Sequence, residues 1–141
     1  MTALDAIQQC LAAEHAAVYG YGVVGGVLAD LAGAADLRTY AQDCYDAHRA
    51  QRDALTALLA RNGQTPVAAH PAYRLPGPVV GSSGCRALAR QIERRSAAVY
   101  AFAVSKTSNG SRAMAVDALT DCALRETGWG AEPRAFPGVQ P

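Results

Sequence analysis

Along the first segment of the chain, Leu4, Ile7, Leu11, Glu14, Val18, Tyr21, Gly25 and Leu28 follow one another in alternating steps of three and four. That is the stripe one face of a buried helix leaves in a sequence, and it predicts a helix from about Ala3 to Ala32. Glu14 is the only charge in the stripe. An unpaired carboxylate is costly to bury, so it must be protonated, paired or bound to a cation. Gly33 to Asp36 reads as a short break with Asp36 as the next N-cap, and so brief a connection predicts antiparallel packing of the second helix on the first. The second helix, Leu37 to Arg61, has a seam of Leu37, Ala41, Cys44, His48 and Leu55, continued by Leu58 or Leu59. His48 is thus a second polar residue on an apolar face. At about 1.5 Å per residue Glu14 and His48 sit at levels roughly 9 Å apart for a turn centred near residue 34, a gap that helix tilt and turn placement can close.

Prolines at 66, 71, 76 and 78 rule out a continuous helix beyond Asn62-Gly63. Residues 63–84 are read as an extended crossover that can run the length of a bundle, with His70 exposed on it rather than serving as a ligand. A third helix, Ser83 to Thr107, opens with Ser82 or Ser83 as cap and carries Leu88, Ile92, Val99 and Phe102 on its main stripe. Glu93 lies on the flank of that stripe, where Arg90 is a competing partner. A fourth helix, Ser111 to Thr127, places Met114, Ala118, Asp121 and Leu124 on one line and Ala115, Leu119, Cys122 and Glu126 beside it. Asp121 is therefore bracketed by apolar residues. Residues 1–130 make one bundle on this reading, residues 131–141 form a Pro/Gly-rich tail, and Trp129 anchors the start of that tail.

Composition narrows the function classes. In 141 residues half are apolar, with Ala heavily used, which favours an all-α fold in one domain. Thirteen basic and twelve acidic residues nearly cancel, leaving no field to draw in nucleic acid or an anionic membrane. Arg86, Arg90 and Arg94 then read as a solvated basic face. No Lys or Arg precedes Arg38 and no uncharged run is long enough to span a bilayer, so a cytoplasmic protein is expected. Cys10, Cys44, Cys85 and Cys122 form no CxxC pair and read as small buried apolar residues. Gly20, Gly22, Gly25 and Gly26 crowd the second half of the first helix, where each costs up to about 1 kcal/mol relative to Ala. Close approach of another helix, from a second copy of the chain for instance, or a local bend would account for them, and a homodimer through this face is expected.

An internal echo links the first and third helices. Ala16–Val23 matches Ala97–Val104 at five of eight positions, and a register shifted by two residues sets Glu14 over Glu93, each followed seven residues later by a tyrosine, Tyr21 and Tyr100.

Long helix, short turn, long helix, long crossover, helix, short turn, helix is the order of the ferritin-like bundle, which residues 3–130 resemble. Di-iron and di-manganese members of that superfamily supply one Glu from each of two helices and Glu-x-x-His from each of the other two. The resemblance matches Glu14 and Glu93 to the carboxylates of the first and third helices and His48 to the second-helix histidine, with Tyr45 where its Glu should stand. Asp121 stands for the fourth-helix Glu, while Leu124 replaces the histidine. The segments Ala13–Gly22 and Ala47–Asp53 further resemble an actinobacterial ferritin-like domain family of unknown function. Three carboxylates and one histidine suffice for a single Fe, Mn or Zn ion and are thin for a redox-active pair. The resemblance implies two alternative functions. One is a scaffold with a polar core, Glu14 bonded to His48 and Tyr45, that has lost di-iron chemistry. The other is a metal-binding oxidoreductase or metal-handling protein using Glu14, His48, Glu93 and Asp121. No phosphate loop or nucleophile elbow is present to suggest nucleotide or acyl-transfer chemistry.

Overall fold

Thr2 starts the first helix with a capping box: its side chain accepts from the Asp5 amide while the Asp5 carboxylate accepts from the Thr2 amide. From there the chain, a computed structural model that describes residues 1–139, forms α1 (Ala3–Ala29), α2 (Ala35–Arg61), α3 (Gly81–Lys106) and α4 (Asn109–Gly128). No strand occurs among the described residues. The fold is the all-α four-helix bundle with a long α2–α3 crossover that the hydrophobic pattern predicts. No helix among the described residues is long and apolar enough to cross a membrane.

Helix ends depart from expectation for local reasons. α1 stops at Ala29, and Gly33 makes the turn with a φ of 72° that glycine adopts without strain. α2 begins at Ala35, so Asp36 lies in its first turn instead of capping it, where its charge still complements the positive end of the helix. Val80 rather than Ser82 or Ser83 precedes α3. α4 starts at Asn109, which leaves only Thr107 and Ser108 between the last two helices.

Neighbouring helices run antiparallel. Contacts of Glu14 with His48 join α1 to α2, those of Tyr21 with Glu93 and Glu14 with Tyr100 join α1 to α3, and that of Arg94 with Glu126 joins α3 to α4. α2 meets α4 through Tyr40 with the Arg125 carbonyl and Gln51 with Met114. α2 and α3 are therefore diagonal, and the crossover must pass over α1 to connect them. It does so with Gln8 bonded to the backbone of Thr65 and Val67, His15 bonded to the Val67 carbonyl at 2.9 Å, and Tyr19 against Tyr73. His70 lies exposed on it, as expected.

The core is split in two. One apolar cluster gathers Ile7, Leu11, Leu55, Leu59 and Ala115, and the other Val24, Leu28, Cys85, Leu88 and Trp129. Between them lies a layer of buried polar side chains. All four cysteines are buried and free. The tail does not hang free: Gly138 sits against the backbone of Ala97 on α3, so close that a Cβ there would clash. Gln140 and Pro141, the end of the expected tail, lie outside the described residues.

Candidate functional site

The polar layer is built from one residue on each helix: Glu14 on α1, His48 on α2, Glu93 on α3 and Arg125 on α4. The connection between α1 and α2 is centred on residue 32, so Glu14 lies 18 residues before it and His48 16 after it. Two residues of offset is about 3 Å of rise, and the two side chains meet. His48 Nδ1–H donates to Glu14 Oε2 at 2.6 Å, and His48 Nε2–H donates to Glu93 Oε1 at 3.1 Å. Both carboxylates and the imidazole are essentially inaccessible to water.

Two carboxylates fix the state of the ring. Burial alone would drive His48 toward the neutral form, but its hydrogen bonds to Glu14 and then Glu93 outweigh that and hold its pKa up to about 9. A neutral imidazole has one N–H and could not donate from both nitrogens, so the layer contains an imidazolium. Burial pushes Glu93 toward its protonated form, but the hydrogen bond and charge of His48, with Arg125 behind them, keep its pKa below the ordinary glutamate value. Arg125 Nε donates to Glu93 Oε1 at 3.0 Å. Charges in the layer therefore cancel, two carboxylates against an imidazolium and a guanidinium.

Tyrosines close the network from both sides. Tyr100 donates to Glu14 Oε1 at 2.5 Å and Tyr21 donates to Glu93 Oε1 at 2.6 Å. Burial, reinforced by the adjacent carboxylates, holds both phenols far above the ordinary tyrosine range, so they remain donors. Trp129, fully buried, donates its indole N–H to the Tyr21 hydroxyl at 2.9 Å. Beside the layer, Arg94 pairs with Glu126 at 3.0 Å.

Of the site residues expected from sequence, Glu14, His48 and Glu93 come together and Asp121 does not. Asp121 is exposed because α4 is rotated by about one residue, 100°, from the phase that its Met114–Asp121–Leu124 line implies; Leu124 is likewise 64% exposed. Tyr45, expected beside Glu14, is half-buried with the Arg49 guanidinium over its ring, and Tyr100 holds the carboxylate instead. Glu93 is not paired with Arg90, which reaches the Trp129 carbonyl. Arg125 is the residue that sequence reasoning misses. Its signal is present: Ala115, Ala118, Cys122, Arg125 and Trp129 repeat the alternating three-and-four steps that mark the buried stripe of α1.

The two carboxylates lie on opposite edges of the imidazole and do not converge on one point. Among the described residues no group of three or more His, Cys, Asp or Glu side chains is placed to hold a metal ion. Glu93 Oε2 is the single buried side-chain oxygen or nitrogen without a hydrogen-bond partner among them.

Fold and site together define an all-α four-helix bundle organised around a buried, charge-neutral carboxylate–imidazole–guanidinium layer. The chain belongs to the family described as Domain of unknown function (DUF4439), whose model matches residues 6–141. It is similar to the crystal structure of a conserved hypothetical protein from Mycobacterium tuberculosis, with 30% sequence identity and a TM-score of 0.81 over 90% of this chain and 94% of that one. No curated protein matches it.

Proposed function

We propose that this protein is a ferritin-like bundle in which a self-neutralising polar core stands where di-metal relatives keep their ions, and that it works as a helical scaffold. The observation that carries this reading is the occupancy of His48: both ring nitrogens donate to carboxylates, at 2.6 and 3.1 Å. A metal bound at either ring nitrogen would have to displace a proton that is hydrogen-bonded to a buried carboxylate. Positive charge that ions would bring to Glu93 comes from His48 and Arg125. Such a layer favours one helix register, since any slip leaves a buried charge unpaired. We also propose a cytoplasmic location and a homodimer through the glycine-bearing part of α1, where a Cβ at Gly22, Gly25 or Gly26 would meet nothing within 4 Å.

One observation favours the alternative of a metal-handling protein binding Fe, Mn or Zn, and that is the unpartnered Glu93 Oε2. The deciding experiment is metal content by mass spectrometry on untagged protein purified without chelator and then loaded anaerobically with Fe²⁺ or Mn²⁺, alongside Glu14→Ala and His48→Ala. The scaffold reading expects no bound metal in any form and reduced stability in both variants. Stoichiometric metal in the parent, lost in both variants, would overturn it.

A further inference from the structure

Two cavities meet on the outer face of α3, away from the buried layer. The first, ≈ 630 Å³, is a groove between α1 and α3 roofed by the crossover, with Ala16, Tyr19, Leu75 and Val99 among its walls. Small residues of α1, Ala12, Ala13 and Ala16 among them, face it and leave the space open. The second, ≈ 510 Å³, lies between α3 and the tail and is lined by Arg90, Arg94, Arg95 and Arg134. Gly138 packed on Ala97 holds the tail in place there. Gln91, Arg95 and Ala98 line both cavities, so the two are one continuous surface with an apolar arm and a cationic arm.

The arginines are not all in use. Arg94 is paired with Glu126 and Arg90 is bonded to the Trp129 carbonyl, whereas Arg95 and Arg134 make no ion pair among the described residues. With Arg94 neutralised by Glu126, the guanidiniums of Arg90, Arg95 and Arg134 around the same pocket repel each other unless a further anion joins them, and planar guanidiniums match phosphate oxygens in geometry and charge. The adjoining groove offers apolar walls in the volume range of small-molecule sites.

We infer that this surface binds an amphiphile bearing a phosphate monoester, its headgroup among Arg90, Arg95 and Arg134 and its hydrocarbon chain in the α1–α3 groove under the crossover. The assignment does not depend on the role of the buried layer. The polar and apolar arms each contribute: a charge-assisted hydrogen bond to phosphate is worth about ten-fold in affinity, and each buried methylene contributes roughly a further few-fold.

The test is isothermal titration of the full chain with dodecyl phosphate below its micelle concentration, with inorganic phosphate and with dodecanol. Saturable one-to-one binding of dodecyl phosphate, stronger than either part alone, is expected. Arg95→Glu and Arg134→Glu, both at exposed positions, should each weaken it about ten-fold or more. Ala16→Trp, which fills the groove, should reduce dodecyl phosphate to the affinity of inorganic phosphate. Melting curves by circular dichroism confirm that each variant folds. Absence of saturable binding, equal binding of dodecyl phosphate and inorganic phosphate by the parent chain, or undiminished affinity in both arginine variants overturns the proposal.

Discussion

Tyr21 on α1 donates to Glu93 on α3 at 2.6 Å, and the relationship is reciprocal, because Tyr100 on α3 donates to Glu14 on α1. Each tyrosine lies seven residues beyond its own helix's glutamate, about two turns. On antiparallel helices equal spacings meet head to tail, so each phenol lands on the other helix's carboxylate.

Removing one phenol therefore orphans a specific atom. Tyr100→Phe leaves Glu14 Oε1 buried with no donor, and Tyr21→Phe leaves the Trp129 indole N–H without an acceptor. Each variant should lose about 1–3 kcal/mol in urea denaturation. A pair of unchanged midpoints would show the network to be slack.

Arg125 carries the charge balance. Arg125→Met removes the guanidinium from a carboxylate that is fully buried, with an expected loss of about 3–5 kcal/mol. Asp121→Asn, on the exposed face of the same helix, should stay within about 0.5 kcal/mol. Comparing these two by chemical denaturation separates the structural fourth-helix residue from the one that the ferritin-like pattern suggests.

Stability should depend on pH through His48. Its pKa rises from 6.5 unfolded to about 9 folded, so its contribution is complete below about pH 6.5 and fades as pH climbs toward 9. Between pH 6.5 and 8, before the thiols of the unfolded chain titrate, the loss should be about 1–2 kcal/mol. Glu93 behaves oppositely: its folded pKa lies below 4.5, and its contribution disappears as pH falls through that region. Urea midpoints across pH 6.5–8 should fall for the parent and stay level for His48→Gln; parallel slopes would assign the effect elsewhere.

Glycines divide by what surrounds them. At Gly128 a Cβ would come within 2.7 Å of Tyr40 Cζ, and Tyr40 is held by the Arg125 carbonyl and by the Trp129 ring at 4.8 Å. Gly128→Ala should cost about 1–3 kcal/mol. Gly22→Ala and Gly26→Ala meet open space and should each add about 0.5–1 kcal/mol from helix propensity. For the proposed homodimer, Gly22→Trp should shift the chain to monomer in analytical ultracentrifugation, and an unchanged species would remove that face from consideration.

What the sequence determined by itself was the set of helices, the long crossover and the burial of Glu14 and His48, because three-and-four periodicity and proline placement act within a segment. It also held the seven-residue spacing of Glu14 to Tyr21 and of Glu93 to Tyr100, without saying which helix each tyrosine serves. Only the tertiary structure decided that. Direction and rotation of a helix depend on what it packs against, so the crossed tyrosines, the inward turn of Arg125 and the outward turn of Asp121 come from antiparallel packing and from the phase of α4. The arginine pocket is of the same kind. Arg90, Arg94 and Arg95 are spaced along α3 like any solvated basic face, and they line a pocket because Gly138 lets the tail lie on α3 and bring Arg134 over them.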